Sequence, residues 1–110
     1  MPFFKVCLTS EINLEKPKKF NVNGEDILIA KTADNIYLAF TNTCSHADKP
    51  LEKGKWNPET AEITCPFHKA VFAIAEHGAV KAPPAFVALT VYKVQIKQEN
   101  DGEFIYVEME

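Results

Sequence analysis

The apolar positions of this chain fall into short stretches of β character, separated by turn residues, and no long amphipathic helix is apparent. Phe3 to Leu8 predicts a first strand. Glu11 to Lys19 is polar, Lys-rich and broken by Pro17, so it reads as a connection with room for a short helical turn. Phe20 to Val22 and Glu25 to Lys31 flank Asn23-Gly24, a pair that tolerates positive φ at both positions and predicts a tight hairpin. Ile36 to Asn42 follows a turn at Asp34-Asn35, and its aromatic and aliphatic content suits a further strand. From residue 43 to residue 84 the pattern weakens as Gly, Pro and Lys become frequent. Short strands are expected at Glu62 to Thr64 and Val71 to Ala75, with a turn at Asn57-Pro58-Glu59-Thr60. Val91 to Lys97 alternates again, with Tyr92, Val94 and Ile96 on one face and Lys93, Gln95 and Lys97 on the other. Asn100-Asp101-Gly102 turns the chain into a closing strand at Phe104 to Val107, and the last two strands form an antiparallel hairpin.

The expected fold class is therefore all-β. One domain spans residues 1–110, with a base made of 1–42 and 85–110 and an inserted subdomain of about 43–84. The insert must leave and rejoin the base at nearby points, because the strands on either side share one sheet system. The formal net charge is −3, with twelve Lys and no Arg, which gives no basis for nucleic-acid binding. Met1 to Val6 has no basic segment leading into an apolar run, so no signal peptide is expected, and no apolar stretch approaches the length of a membrane span. Three Cys is an odd number and argues against a disulfide framework; a reducing cytoplasmic setting is the simplest expectation.

The candidate chemistry lies within the insert. Cys44-Ser45-His46 is followed, after eighteen residues, by Cys65-Pro66-Phe67-His68. Each motif supplies one thiolate and one imidazole. Two such mixed pairs can hold a two-iron centre unequally, both Cys on one iron and both His on the other. Replacing two thiolates by neutral imidazoles removes two negative charges from the centre and raises its reduction potential above that of an all-Cys cluster.

Cys44-Ser45-His46-Ala47-Asp48-Lys49-Pro50-Leu51-Glu52-Lys53-Gly54 resembles the first cluster loop of Rieske-type ferredoxins, and Cys65-Pro66-Phe67-His68, with Phe72 and Gly78 beyond it, resembles the second. Pro83-Pro84 is similar to the proline loop that covers the cluster in that family. The resemblance implies a Rieske fold: an antiparallel, sandwich or barrel-like base with an inserted cluster-binding subdomain. It also implies one [2Fe–2S] cluster, with Cys44 and Cys65 on the inner iron and His46 and His68 on the outer iron through their δ nitrogens.

Several positions depart from the family. Lys69 stands where Gly commonly follows the second His, Asp48 where the first loop often has Gly, and Ala73 where Asp is frequent. The stretches from Gly54 to Cys65 and from Phe72 to Gly78 are slightly longer than usual. A high-potential branch of the family carries a disulfide between the two loops. Lys49 and Phe67 occupy the corresponding positions here, so that bridge cannot form, and the Ser that donates to a bridging sulfide in that branch is also missing. Fewer hydrogen bonds to sulfur stabilise the reduced state less, which predicts a potential near the low end of the range, about −150 mV.

The other residues divide more plainly. Structural zinc takes the same four ligands, but usual zinc spacing groups Cys with Cys and His with His. Cys7 sits in a strand pattern and reads as a buried small hydrophobe. His77 reads as a loop residue, Trp56 as packing beneath the insert, and Phe67 as an exposed side chain near the cluster. Lys49 and Lys69 adjoin ligands His46 and His68, which suggests a positive rim that steers acidic partners. An oxygenase iron site would need two further His and a carboxylate, and only His77 is unassigned; no Gly-rich dinucleotide fingerprint appears either. The expected function is that of an electron carrier rather than an enzyme, working between a flavin-dependent reductase and a terminal oxygenase. The alternatives are a Rieske-like small subunit beside the large subunit of an assimilatory nitrite reductase and, from another class, a structural zinc module.

Overall fold

The computed structural model describes residues 2–42, 51–65, 71–74, 79–82 and 89–109. Among these residues there are eleven strands and one short 3₁₀ turn. The strands are β1 (Phe3–Leu8), β2 (Lys18–Val22), β3 (Glu25–Lys31), β4 (Tyr37–Thr41), β5 (Lys55–Asn57), β6 (Glu62–Thr64), β7 (Val71–Ala73), β8 (Ala79–Ala82), β9 (Val91–Tyr92), β10 (Val94–Glu99) and β11 (Gly102–Glu108). They form three antiparallel sheets with the orders β1-β11-β10, β2-β3-β4-β9 and β5-β6-β7-β8. The all-β class and the closing hairpin expected from the sequence are both present, the latter in register from Val94↔Val107 to Glu99↔Gly102.

The β2-β3-β4-β9 sheet is the middle layer, and β3 shows why. Ile27, Leu28, Ile29 and Ala30 are all fully buried. Successive side chains of a strand point to opposite faces. Ile27 and Ile29, with Ala39 of β4, enter a core shared with Cys7, Ile12, Val22, Ile105, Val107 and Met109. Leu28 and Ala30, with Phe40, enter a second core shared with Leu51, Trp56, Ile63, Cys65, Phe72 and Leu89. The first core joins the middle sheet to the terminal sheet, and the second joins it to the sheet of the insert. A strand covered on both faces reads as a continuous apolar run rather than an alternating one, which is the pattern of Ile27 to Ala30.

Local turn chemistry fixes the registers. Asn23 and Gly24 both have positive φ, 53° and 84°, as a primed two-residue hairpin turn requires between β2 and β3. Asn35 does the same at 63° before β4. The Asn57 side-chain oxygen accepts from the backbone N–H groups of Glu59 and Thr60 at 3.0 and 3.3 Å, which builds the expected turn after β5.

Several boundaries differ from the sequence expectation. The helical turn lies at Thr9–Glu11 and shares only Glu11 with the polar connection, with Leu8 N–H donating to the Glu11 carboxylate at 2.9 Å. The alternating stretch expected as one strand from Val91 to Lys97 divides at Lys93: Val91–Tyr92 pairs with β4, while Val94–Glu99 pairs with β11. Ile96 lies on the same face of β10 as Val94 but farther along the closing hairpin, and it is 39% exposed. β5 and β8 are additional, and β7 ends at Ala73. The pairing of Ala39 with Tyr92 and Phe40 with Val91 brings the strands on either side of the insert side by side. β4 and β9, which precede and follow residues 43–84, are thus neighbours in one sheet.

Candidate metal centre

Of the four residues that the sequence singles out as ligands, Cys65 is described. Cys44, His46 and His68 lie outside the described residues, as do His77, Lys49, Lys69, Phe67 and Pro83-Pro84. Cys65 follows β6 directly, is fully buried, and is a free thiol. β6 is the second strand of the insert sheet and pairs with β5 (Trp56↔Ile63) and β7 (Ile63↔Phe72). Ile63 and Phe72, both fully buried, seat that pair against the middle sheet.

The other motif is approached from its two flanks. Asn42 follows β4 directly and precedes the first motif, and Leu51 follows that motif. Leu51 N–H donates to the Asn42 backbone carbonyl at 2.6 Å and to the Asn42 side-chain oxygen at 3.1 Å. Glu52 N–H donates to the same side-chain oxygen at 3.0 Å. Asn42 N–H in turn donates to the Asp26 carbonyl at 3.1 Å, anchoring the residue to β3. The Leu51 side chain is fully buried in the core that holds Cys65. Gly54 N–H then donates to the Leu51 carbonyl at 2.8 Å and turns the chain toward β5. Both motifs are therefore rooted in one apolar core, one through Leu51 and the other through Cys65. Lys19 of β2 pairs with Glu52 at 3.2 Å outside this junction.

Trp56 packs beneath the insert, as expected. It is 7% exposed, stacks on Phe40 of the middle sheet with ring centroids 6.1 Å apart, and donates its indole N–H to the Lys31 carbonyl at 3.2 Å. Cys7 belongs to the opposite core, where burial pushes its thiol up to about 12. It is a buried apolar residue rather than a ligand. Asn42 was not singled out in the sequence; an Asn ending a strand two residues before a Cys-x-His motif is the signal that would have found it.

These residues fit an iron–sulfur centre. A thiol with no disulfide partner, enclosed by Leu51, Ile63 and Phe72 at the end of a short strand, is a soft ligand kept from water. The model of the Rieske [2Fe-2S] domain family matches residues 2–93. The chain belongs to that family. It carries one Rieske-type [2Fe–2S] cluster and serves as an electron carrier, not as an enzyme in its own right.

The Rieske chain is 29% identical to the ferredoxin component of biphenyl 2,3-dioxygenase from Rhodococcus jostii RHA1, over all of this chain and 95% of that one. The solved ferredoxin of carbazole 1,9a-dioxygenase from Nocardioides aromaticivorans IC177 superimposes with a TM-score of 0.87 at 27% identity, with both chains covered in full. The complex of reduced oxygenase and oxidised ferredoxin in carbazole 1,9a-dioxygenase matches with a TM-score of 0.79 at 28% identity, covering 96% of this chain and 100% of that one. A nitrite reductase small subunit from Mycobacterium tuberculosis shares the fold alone, with a TM-score of 0.80 at 15% identity over 99% of this chain and 96% of that one.

Proposed function

We propose that Cys44, His46, Cys65 and His68 are the cluster ligands, the two Cys on the inner iron and the two His on the outer. The single observation that carries this is Cys65, buried and free in the core from which the first motif is also rooted. When bound, the cluster accepts and releases one electron at a time. The chain's own part is to hold thiolates in an apolar interior and to exclude water through Leu51, Ile63 and Phe72. Residues 43–84 act as the cluster-binding subdomain on a base of 1–42 and 85–110. Strands β5 to β8, all inside that range, pair only with one another among the described residues, which supports the division.

The electron passes from a flavin-dependent reductase to a terminal oxygenase in the cytoplasm. Support comes from the full-length likeness to two dioxygenase ferredoxins and from the solved complex of such a ferredoxin with its oxygenase. The nitrite reductase alternative rests on fold alone. No helix among the described residues is long and apolar enough to cross a membrane.

Two measurements test this. The reduced protein, mixed anaerobically with an oxidised Rieske-type aromatic-ring oxygenase, should reoxidise and reduce the oxygenase cluster, at a rate that varies with ionic strength if Lys49 and Lys69 form a steering rim. No transfer to any such oxygenase, with transfer to a sirohaem nitrite reductase instead, would overturn the assignment of partner. Replacing His46 or His68 by Ala should abolish the Rieske spectrum, and an unchanged spectrum would overturn the ligand set.

A further inference from the structure

Asn42 is 5% exposed and uses four hydrogen bonds at one junction. Its N–H is held by the Asp26 carbonyl at 3.1 Å, which fixes the residue to the middle sheet. Its backbone carbonyl and side-chain oxygen both accept from Leu51 N–H, at 2.6 and 3.1 Å, and the side-chain oxygen also accepts from Glu52 N–H at 3.0 Å. The side-chain oxygen thus does what a continuing β ladder would otherwise do. It satisfies two backbone donors on the far side of residues 43–50 and holds that stretch's exit beside its entrance. Leu51 is locked from the other side by its fully buried side chain, in the core that contains Cys65. A hydrophobic residue in this place would leave Glu52 N–H without its acceptor and Leu51 N–H with the Asn42 backbone carbonyl alone, a cost that side-chain packing does not restore.

We propose that Asn42 is a positioning residue for the metal centre: its side-chain carboxamide ties Leu51 and Glu52, which follow the first motif, to the residue that precedes it, and so bears on how firmly the ligands of that motif are held. The inference rests on the reading that Cys44 and His46 are ligands. Asn42 contacts neither the iron nor a reacting atom. It acts through the backbone of Leu51 and Glu52, and its effect is on how firmly the first pair of ligands is held.

The test compares full-length wild type with Asn42→Ala, Asn42→Asp and Asn42→Gln, all purified without air. Asp keeps an oxygen acceptor at the same distance from the backbone, whereas Gln keeps the amide but moves it one methylene farther out. Three readouts are taken: amide hydrogen exchange at Leu51 and Glu52, the rate of iron loss to a chelator, and the electron paramagnetic resonance spectrum of the reduced protein. Ala and Gln are expected to speed both exchange and iron loss by about tenfold and to broaden or shift the spectrum, with Asp close to wild type. Should Ala fail to fold, the order of Asp and Gln decides, and Gln retaining iron as well as Asp does would overturn the proposal. Faster exchange in Ala with unchanged iron loss and spectrum would also overturn it, leaving Asn42 a purely structural clamp. Wild type that lacks iron and sulfide would instead sink the ligand reading on which the inference stands, a result distinct from any difference among the variants.

Discussion

Trp56 shows how a single side chain couples the insert to the base. Its ring lies on Phe40 and its indole N–H caps the Lys31 carbonyl. Trp56→Ala should destabilise the protein by about 3–5 kcal/mol in denaturant unfolding, and Trp56→Phe by less, since stacking survives and one carbonyl loses its donor. A loss below about 1 kcal/mol for Ala would mean that the insert is held chiefly elsewhere. Cys7 makes a prediction about pH. Its folded thiol is raised from 9.0 to about 12, first by burial and then by the Glu11 carboxylate, with Lys18 opposing. The stabilising contribution is therefore fully present below pH about 9 and is lost as pH rises toward about 12, because only the unfolded chain ionises there. Between pH about 8 and about 10.5 the urea midpoint of wild type should fall more than that of Cys7→Ala. Equal falls would show that the thiol plays no part.

The strands record both what the sequence displays and what it conceals. The hairpin turns were legible because Asn23-Gly24 and Asn100-Asp101-Gly102 carry a conformational requirement in their residue types. The continuous apolar run of Ile27 to Ala30 also marks a strand covered on two faces, although its central place follows only from the packing of two cores against it. The switch of sheets at Lys93 was not legible, because alternation runs unbroken through a residue whose carbonyl instead accepts from Glu108 N–H at 2.9 Å. Strands β5 and β8, three and four residues long, are too short to show a period. At the closing hairpin Gly102 has φ of +141°, and a Cβ there would come within 2.7 Å of the Leu8 side chain. Gly102→Ala should cost more than about 1 kcal/mol, chiefly through the backbone, since the Leu8 side chain has some room to turn. An unchanged melting temperature would show that the hairpin relaxes freely.

Three stacked sheets divide the labour of the protein. The terminal and middle sheets enclose one core, and the middle and insert sheets enclose the core that holds Cys65. The two Cys/His motifs proposed as ligands stand out in the sequence because few metal centres use one thiolate and one imidazole from each of two loops. Asn42 was not, because an Asn at a strand end is ordinary until its partners at Leu51 and Glu52 are seen. Partners were readable only through likeness to other ferredoxins, since steering depends on the arrangement of charges rather than on their number. The absence of a disulfide pair at Lys49 and Phe67 predicts a midpoint potential of about −150 mV, which a redox titration checks. A value well above zero would contradict it. That potential should also fall with pH in the alkaline range, because reduction makes the ligand imidazole N–H groups less acidic; a flat profile would contradict imidazole ligation.

The most direct test is to purify the protein without air, assay iron, zinc and acid-labile sulfide, and record the spectrum of the reduced form with and without His68→Cys. The account predicts iron and sulfide in equal amounts, no zinc, and a rhombic Rieske signal that is lost when His68 is replaced. Zinc without sulfide, or a signal indifferent to His68, would contradict it.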